Sequence, residues 1–371
     1  MKEEIMYPRL VYHMDKLHQN LDAVSAMTHG GGCSMMIVTK VACADPQLVD
    51  LAISHPGVNY LADSRVKNIA TYAGKVRVAG KKTVLLRLPM LCEVEDVVKY
   101  VDLSFNSELV TIKALNEAAE KAGVVHNVLL MIDLGDLREG IFYQNEDQIF
   151  ETVEEILKLK NIKLYGVGVN LTCYGAIIPK YDNLSNLVAI AEKIEEKFGI
   201  ELEMVSGGNS SSIYLLGNND ALTERQLPAG INNLRLGESF VLGNDTAYET
   251  KIPGTVSDTV TLEAQIIELK TKPSLPIGEP GVDAFGQKPV YEDRGIIQRA
   301  IVAIGKQDVE PGSMTPIDPD IEILGASSDH LIVDVTKSKT EYKVGDILEF
   351  TLGYGGLLKA TTSAYVEKAY K

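Results

Sequence analysis

Short β-branched or apolar runs alternate with longer segments of helical period over the first two thirds of the chain, the pattern of βα units around a parallel sheet. Strands are predicted at residues 34–40 (SMMIVTK), 58–63 (VNYLAD), 83–88 (TVLLRL), 102–106 (DLSFN), 126–133 (HNVLLMID), 162–170 (IKLYGVGVN), 202–207 (LEMVSG) and 232–236 (NNLRL). Between them, residues 108–122 put Leu109, Ile112, Leu115 and Ala119 on one helical face, and 146–160 do the same with Ile149, Val153, Ile156 and Leu157. Eight such strands over about 200 residues have the arithmetic of an α/β fold of the TIM (β/α)8 barrel type; an open doubly wound sheet is the alternative. Beyond about residue 240 the texture changes to alternating runs (TVTLEAQIIEL, GIIQRAIVAIG, DHLIVDVT, GDILEFTLG) punctuated by Gly, Pro and Asp, which predicts a mostly β domain. The expected division is a barrel over 10–240 and a β domain over 241–371 joined by residues 1–9. Residues 271–295 hold Pro273, Pro276, Pro280 and Pro289 and read as a long loop of the kind that borders binding sites.

The 371 residues are 45% hydrophobic and 23% charged, enough apolar material for a sizeable core. Lys and Arg number 36 against 51 Asp and Glu, a net charge of −15. That balance repels phosphate backbones and anionic lipid, so nucleic acid and membrane are not expected partners. A cationic small molecule fits it, although solubility alone accounts for an acidic protein. The start lacks an apolar run behind a basic end, and no 18 uncharged apolar residues occur in succession, so a cytoplasmic location is expected. Cys33, Cys43, Cys92 and Cys173 form no CxxC pair and have no matching His cluster, which predicts reduced, buried structural thiols and no metal site. Cys173, in a polar segment, is the one that could react.

In a TIM barrel the chemistry gathers at the C-terminal ends of the strands. The polar residues closing the predicted strands are Lys40, Asp63, Asn106, Asn170 and Arg235, with Arg138 following the fifth strand and SGGNSSS the seventh. Lys40 follows MMIVT, where desolvation can make an amine nucleophilic; a Schiff-base lysine fits, and a lysine snorkelling to solvent is the plainer alternative. Ser206, Gly207, Gly208, Asn209 and Ser210 are small residues that let backbone N–H groups approach an anion, and RLGES with Gly237 and Glu238 follows the eighth strand, the two places where phosphate sites recur in this fold. A first-strand lysine with a phosphate cradle suggests pyridoxal 5'-phosphate; a lysine aldolase acting on a sugar phosphate is the alternative.

These residues resemble the fold-type III pyridoxal-phosphate enzymes, specifically the alanine racemase family and its ornithine and lysine racemase branch, over nearly the whole chain. The resemblance assigns the cofactor lysine to Lys40 in IVTKVACADP, without the tyrosine-bearing sequence that usually follows. It assigns the arginine at the cofactor's phenolic oxygen to Arg138 in IDLGDLREGI, puts Asn170 of GVGVNLTCYG where a histidine usually stands against the ring, and gives the phosphate to Asn209 and Ser210. The family's Arg-x-Gly matches Arg235 and Gly237 in NNLRLGES. Decarboxylases of this fold place a carboxylate at the pyridine nitrogen and racemases an arginine, which leaves the ring a weaker electron sink, so Arg235 implies racemisation while Glu238 nearby is the reservation.

The resemblance further implies a second base from the β domain of a partner subunit, hence a homodimer. The family's tyrosine is absent from the corresponding stretch, IGKQDVEPG, where Lys306 stands at its position and Asp308 is the other candidate. Tyr354 in TLGYGG is a candidate for the cofactor pocket, or an ordinary edge-strand tyrosine. Ornithine is the implied substrate, with lysine or another diamino acid next. Glu279, Asp283, Glu292, Asp293 and Asp308 are the carboxylates available for a terminal ammonium. The rival functions are a decarboxylase of the same fold and a non-catalytic pyridoxal-phosphate carrier.

Overall fold

A computed structural model describes residues 6–217, 226–286, 288 and 290–371. Residues 1–5 of the expected β-domain segment, and Pro289 of the proline-bearing loop, lie outside the described residues. The elements run β1 (Arg9–Tyr12), α1 (Met14–Gly30), β2 (Ser34–Val38), α2 (Pro46–Ser54), β3 (Val58–Asp63), α3 (Val66–Val78), β4 (Lys82–Leu85), α4 (Val94–Tyr100), β5 (Leu103–Asn106), α5 (Leu109–Ala122) and β6 (His126–Asp133). They continue with β7 (Ile141–Phe142), α6 (Glu146–Leu157), β8 (Ile162–Gly168), α7 (Tyr181–Phe198), β9 (Met204–Ser206), β10 (Asn233–Leu236) and α8 (Glu238–Val241).

Strands β5, β4, β3, β2, β10, β9, β8 and β6 pair in that order, all parallel, and β5 pairs β6 to close the ring. The barrel predicted from periodicity is therefore present, with all eight strands at the expected places, and closure sets the open sheet aside. Met36, Ala62, Val84, Phe105, Met131 and Met204, one from each of six strands, fill the interior, so the barrel is a packed core and not a pore. The outer helices follow the apolar stripes. α5 buries Ile112, Leu115 and Ala119, and α6 buries Ile149, Val153 and Ile156. Leu157 departs from the expected face: α6 ends there, and its side chain is 42% exposed.

The chain separates into two compact units, one of Lys16–Ser257 and one of the residues up to Asp15 with Asp258–Lys371. The break thus falls at 257, against the expected 240. Residues 241–257 stay with the barrel because Asn20 of α1 donates to the Phe240 and Val256 carbonyls (3.1 and 2.8 Å) and accepts the Val256 N–H (2.8 Å).

The second unit contains β11 (Val260–Pro273), β12 (Ile296–Val302), β13 (Met314–Pro316), β14 (Glu322–Ala326), β15 (Leu331–Asp334), β16 (Ile347–Leu352), α9 (Tyr354–Thr362) and β17 (Glu367–Tyr370). Its sheet has the order β13-β16-β11-β12-β15-β14, antiparallel throughout. β1 adds on antiparallel to β11 and parallel to β17, which is why the first strand belongs with the last third of the chain. The Arg9 guanidinium and the Glu263 carboxylate, 2.7 Å apart, fasten that seam. No described helix is long and apolar enough to cross a membrane.

Candidate active site

Lys40 sits two residues past the end of β2, after Thr39, opening a single 3-10 turn over Lys40–Ala42. Thr39 anchors that turn. Its N–H bonds the Ala62 carbonyl at the end of β3 (2.8 Å), and its hydroxyl donates to Asp63 Oδ2 (2.7 Å). Asp63 is in turn held by the Arg65 N–H and the Asn68 amide (2.9 and 3.1 Å). Burial pushes its carboxyl above the ordinary range, opposed by those hydrogen bonds, so Asp63 orients the lysine turn and does not itself reach outward.

The two segments expected to form an anion cradle are knitted together. Ser210 Oγ accepts the N–H groups of Gly237 (3.3 Å) and Ser239 (3.1 Å) and lies 3.0 Å from the Ser239 hydroxyl. The Gly208 carbonyl accepts the Arg235 N–H (3.0 Å), and Gly207 N–H reaches the Asn233 carbonyl (3.0 Å). Gly208 has φ +115°, and a Cβ there would meet Ser212 Oγ at 2.6 Å, so the position is closed to other residues on two counts. Asn209 caps the turn that follows, its Oδ1 accepting the Ser211 N–H at 2.8 Å.

Arg235 points its guanidinium into the barrel, 4% exposed and 5.3 Å from the Phe105 ring centre. It donates to three neutral acceptors: Ser206 Oγ (2.8 Å), the Val169 carbonyl (2.7 Å) and Asn170 Oδ1 (3.5 Å). Burial pulls its pKa down to about 10, which still leaves a full cation at neutral pH. Asn170 Oδ1 also receives Asn209 Nδ2 (3.2 Å) and the Cys173 thiol (3.6 Å). Three donors on one atom fix the amide's orientation, and Asn170 Nδ2 is left buried with no partner. Glu238 is elsewhere engaged: Thr246 donates to it at 3.3 Å, burial raises its pKa, and the charge of Lys40 acts on it in the opposite sense.

Arg138 lies on the loop between β6 and β7, and both ends of this loop are pinned. Asp133 Oδ1 accepts the Gly135 and Leu137 N–H groups (2.8 and 3.1 Å), and a Cβ on Gly140 (φ +124°) would strike the Asp133 backbone nitrogen at 2.6 Å. Arg138 Nε and Nη2 donate to the two oxygens of Glu139. Asp136, 1% exposed, accepts N–H groups of Thr172, Tyr174 and Gly175 (2.9, 3.1 and 3.1 Å), so this loop also shapes the segment that carries Cys173. Neither acid stands out in the sequence. Glu139 reads as one more charge in a polar run, and Asp136 as a turn residue.

In the β domain, Lys306 Nζ stands 3.6 Å from Asp283 and 4.3 Å from the Phe285 ring centre, both supplied by the long loop. Asp308 is buried and accepts the Ser363 hydroxyl at 2.7 Å. Tyr354 opens helix α9 after Gly353 and is not an edge-strand residue, because β16 ends at Leu352. Of the loop carboxylates, Glu292 lies 3.1 Å from Arg294, and Asp293 accepts the Gly295 N–H at 2.9 Å. The expectation of four buried thiols also fails. Cys33 is buried and pushed up to about 11 by that burial, Cys43 is half-buried, and Cys92 and Cys173, on connections following β4 and β8, are exposed.

Within the described barrel unit, four buried side-chain polar atoms lack a hydrogen-bond partner: Arg87 Nε, Asn106 Oδ1, Asn170 Nδ2 and Ser211 Oγ. Each belongs to a residue that ends or follows a barrel strand at its C-terminal end. Unpaired buried polar atoms each cost about 1–3 kcal/mol, and four at one end of a barrel mark a place where the protein is not self-sufficient.

Residues 12–237 match the family described as alanine racemase, N-terminal domain. The chain is 54% identical over 363 residues to an ornithine racemase of Acetoanaerobium sticklandii, covering 98% of this chain and 99% of that one. It is 38% identical over 369 residues to a lysine racemase of Thermotoga maritima, covering 99% of each. Among solved structures it superimposes on an alanine racemase of Clostridium difficile 630 with TM-score 0.70 at 20% identity, covering 99% of this chain and 97% of the other. A D-threonine aldolase from Filomicrobium marinum fits as well, TM-score 0.70 at 14% identity over 96% and 89%, so the shared fold by itself does not choose a reaction.

Proposed function

The chain belongs to the alanine racemase N-terminal domain family, and from that premise we propose that it is a pyridoxal 5'-phosphate-dependent racemase that interconverts L- and D-ornithine or a closely related diamino acid. The reading is carried by the barrel mouth, where the unpaired Asn170 Nδ2, a buried Arg235 hydrogen-bonded to neutral atoms and a glycine-serine cradle converge. That donor set suits a phosphorylated pyridine. Gly208, Asn209, Ser210 and Gly237 would hold the phosphate, Arg235 the ring nitrogen, Arg138 the phenolic oxygen, Asn170 the ring's flank, and Lys40 the aldehyde carbon.

When bound, the cofactor withdraws electrons from the substrate's α-carbon and makes its α-proton acidic. The chain's own groups then set the outcome. Lys40 Nζ takes or returns a proton on one face. Arg235 would face the ring nitrogen without giving up its own proton, which would limit the electron sink and disfavour loss of carbon dioxide. The same point favours racemase over decarboxylase, since Glu238 is hydrogen-bonded to Thr246 while Arg235 donates to the Asn170 oxygen.

For the opposite face we assign Lys306 in preference to Asp308. The lysine places its Nζ 3.6 Å from Asp283 of the long loop, with part of its side chain exposed, whereas Asp308 is buried and accepts the Ser363 hydroxyl. By family resemblance this group acts from a second copy of the chain, so the working form is a homodimer. A carrier of the cofactor has no use for such a group. Identity of 54% to an ornithine racemase over nearly the full length supports the diamino acid as substrate. The protein loaded with pyridoxal phosphate is expected to show the visible-edge absorption of a lysine-bound cofactor, and Lys40→Ala to lose it. Retention of that band in Lys40→Ala would remove the reading.

A further inference from the structure

We propose that Glu139 is a positioning residue for the barrel mouth, a carboxylate that grips Arg138 through both of its oxygens and balances the two arginines there. The inference rests on the proposed function for the identity of the ligand, but its geometry stands without it.

Arg138 and Glu139 are adjacent in sequence, and side chains of adjacent residues ordinarily diverge. Here the guanidinium donates from Nε and Nη2 to Oε2 and Oε1, the two-point arrangement that fixes direction as well as distance. The backbone makes this possible. Leu137 takes φ +57°, and Asp133 and the clash-limited Gly140 hold the loop at either end, so the pair is carried on a rigid turn. The acid is the more enclosed partner, with 14% of its side chain exposed against 40% for the arginine. Charge gives a second reason. Arg138 opposes protonation of the buried Arg235, and Glu139 supports it, acting on both cations. Arg235 has no carboxylate among its hydrogen-bond acceptors, so Glu139 supplies the anionic charge that lets two guanidiniums share one mouth. An arginine free to swing would meet a ligand oxygen only part of the time, whereas one gripped from behind presents its remaining N–H groups in a fixed direction.

The test compares Glu139→Gln and Glu139→Asp with the parent. Three quantities are measured: pyridoxal-phosphate affinity by absorbance titration of the cofactor-free protein, KM and kcat for ornithine, and the thermal midpoint of each cofactor-free protein. For Glu139→Gln we expect roughly a tenfold weaker cofactor affinity and a tenfold higher KM with kcat changed less, and Glu139→Asp, which keeps the charge on a shorter arm, is expected to fall between it and the parent in both. Unchanged affinity and KM in Glu139→Gln would overturn the inference, as would a fall in thermal midpoint with nothing else moved. If Glu139→Gln does not fold, Glu139→Asp must still show an intermediate loss, and parent values there overturn the proposal. A parent protein that binds no cofactor would instead defeat the proposed function, so the two failures are distinguishable.

Discussion

The two ends of the barrel solve opposite problems with similar residues. At the base, where the strands begin, each polar group meets its complement. Lys82 Nζ donates to the Tyr165 hydroxyl (3.1 Å) and lies 4.8 Å from its ring centre, the Tyr60 and Tyr165 hydroxyls are 3.4 Å apart, and Lys163 is paired with Glu203. Burial pushes the Tyr60 phenol far above its usual range, so it stays neutral. A cleft of about 920 Å³ beside the base has a basic lining, but Arg77 faces Asp102 (3.3 Å), Lys121 faces Glu95 (3.9 Å), and Lys81 donates to the His55 carbonyl. Arg77, Lys99 and Lys121 also close helices α3, α4 and α5, where a cation complements the dipole. At the mouth four buried polar atoms have no partner, and the cation of Arg235 is buried against neutral acceptors alone. The polar groups named around that cleft are paired, whereas the unpaired buried atoms gather at the opposite end, where the proposed site lies.

If this division is sound, substitutions at the two ends separate activity from stability. The largest effect is expected from Lys40→Ala at the mouth, a loss of about 10⁴ in racemisation rate, since one of the two proposed proton-moving groups is gone. Its denaturation midpoint should stay close to the parent's. At the base, Tyr165→Ala should cost roughly 3–5 kcal/mol of stability by opening a cavity in the barrel core, while the rate per folded molecule changes little. Urea titrations and rate assays on both proteins check the pair, and a reversed pattern would dissolve the comparison.

A smaller effect belongs to His126 at the start of β6, which is buried against the Ser104 hydroxyl (2.8 Å) and pushed by burial from 6.5 down to about 4. The folded protein therefore keeps this ring neutral where the unfolded chain takes up a proton. Between about pH 6.5 and 4 the unfolded state binds more protons, so stability falls as pH falls through that window, by up to roughly 3 kcal/mol. Denaturant midpoints at pH 7 and 5 should show a steeper loss in the parent than in His126→Asn; equal slopes would mean that His126 is not the source.

The barrel was readable in the sequence because its strands are β-branched runs punctuated by polar residues at the mouth, so the same signal that gave SMMIVTK as a strand placed Lys40 at its end. Boundaries that depend on distant partners were not readable. Residues 241–257 join the barrel through Asn20, more than 200 positions earlier, and Tyr354 begins a helix because β16 stops two residues before it. Of the site, Lys40, Arg138, Asn170, Asn209, Ser210 and Arg235 stand out as strand-end polar residues or small-residue turns. Glu139 and Asp136 do not, since what distinguishes them is a loop geometry fixed by Asp133 and Gly140 that no local pattern announces. The proposed proton-moving group in the β domain is also hidden, because IGKQDVEPG offers a lysine and an aspartate with equal claim, and only the distant Ser363, which donates to Asp308, distinguishes them.

The most direct test of the whole account is chiral chromatography of L-ornithine incubated with the cofactor-loaded protein in deuterated water. D-ornithine is expected to approach equal amounts with the L form and to carry deuterium at the α-carbon. L-ornithine left optically unchanged while L-alanine is converted, or ornithine lost with release of carbon dioxide, would contradict it.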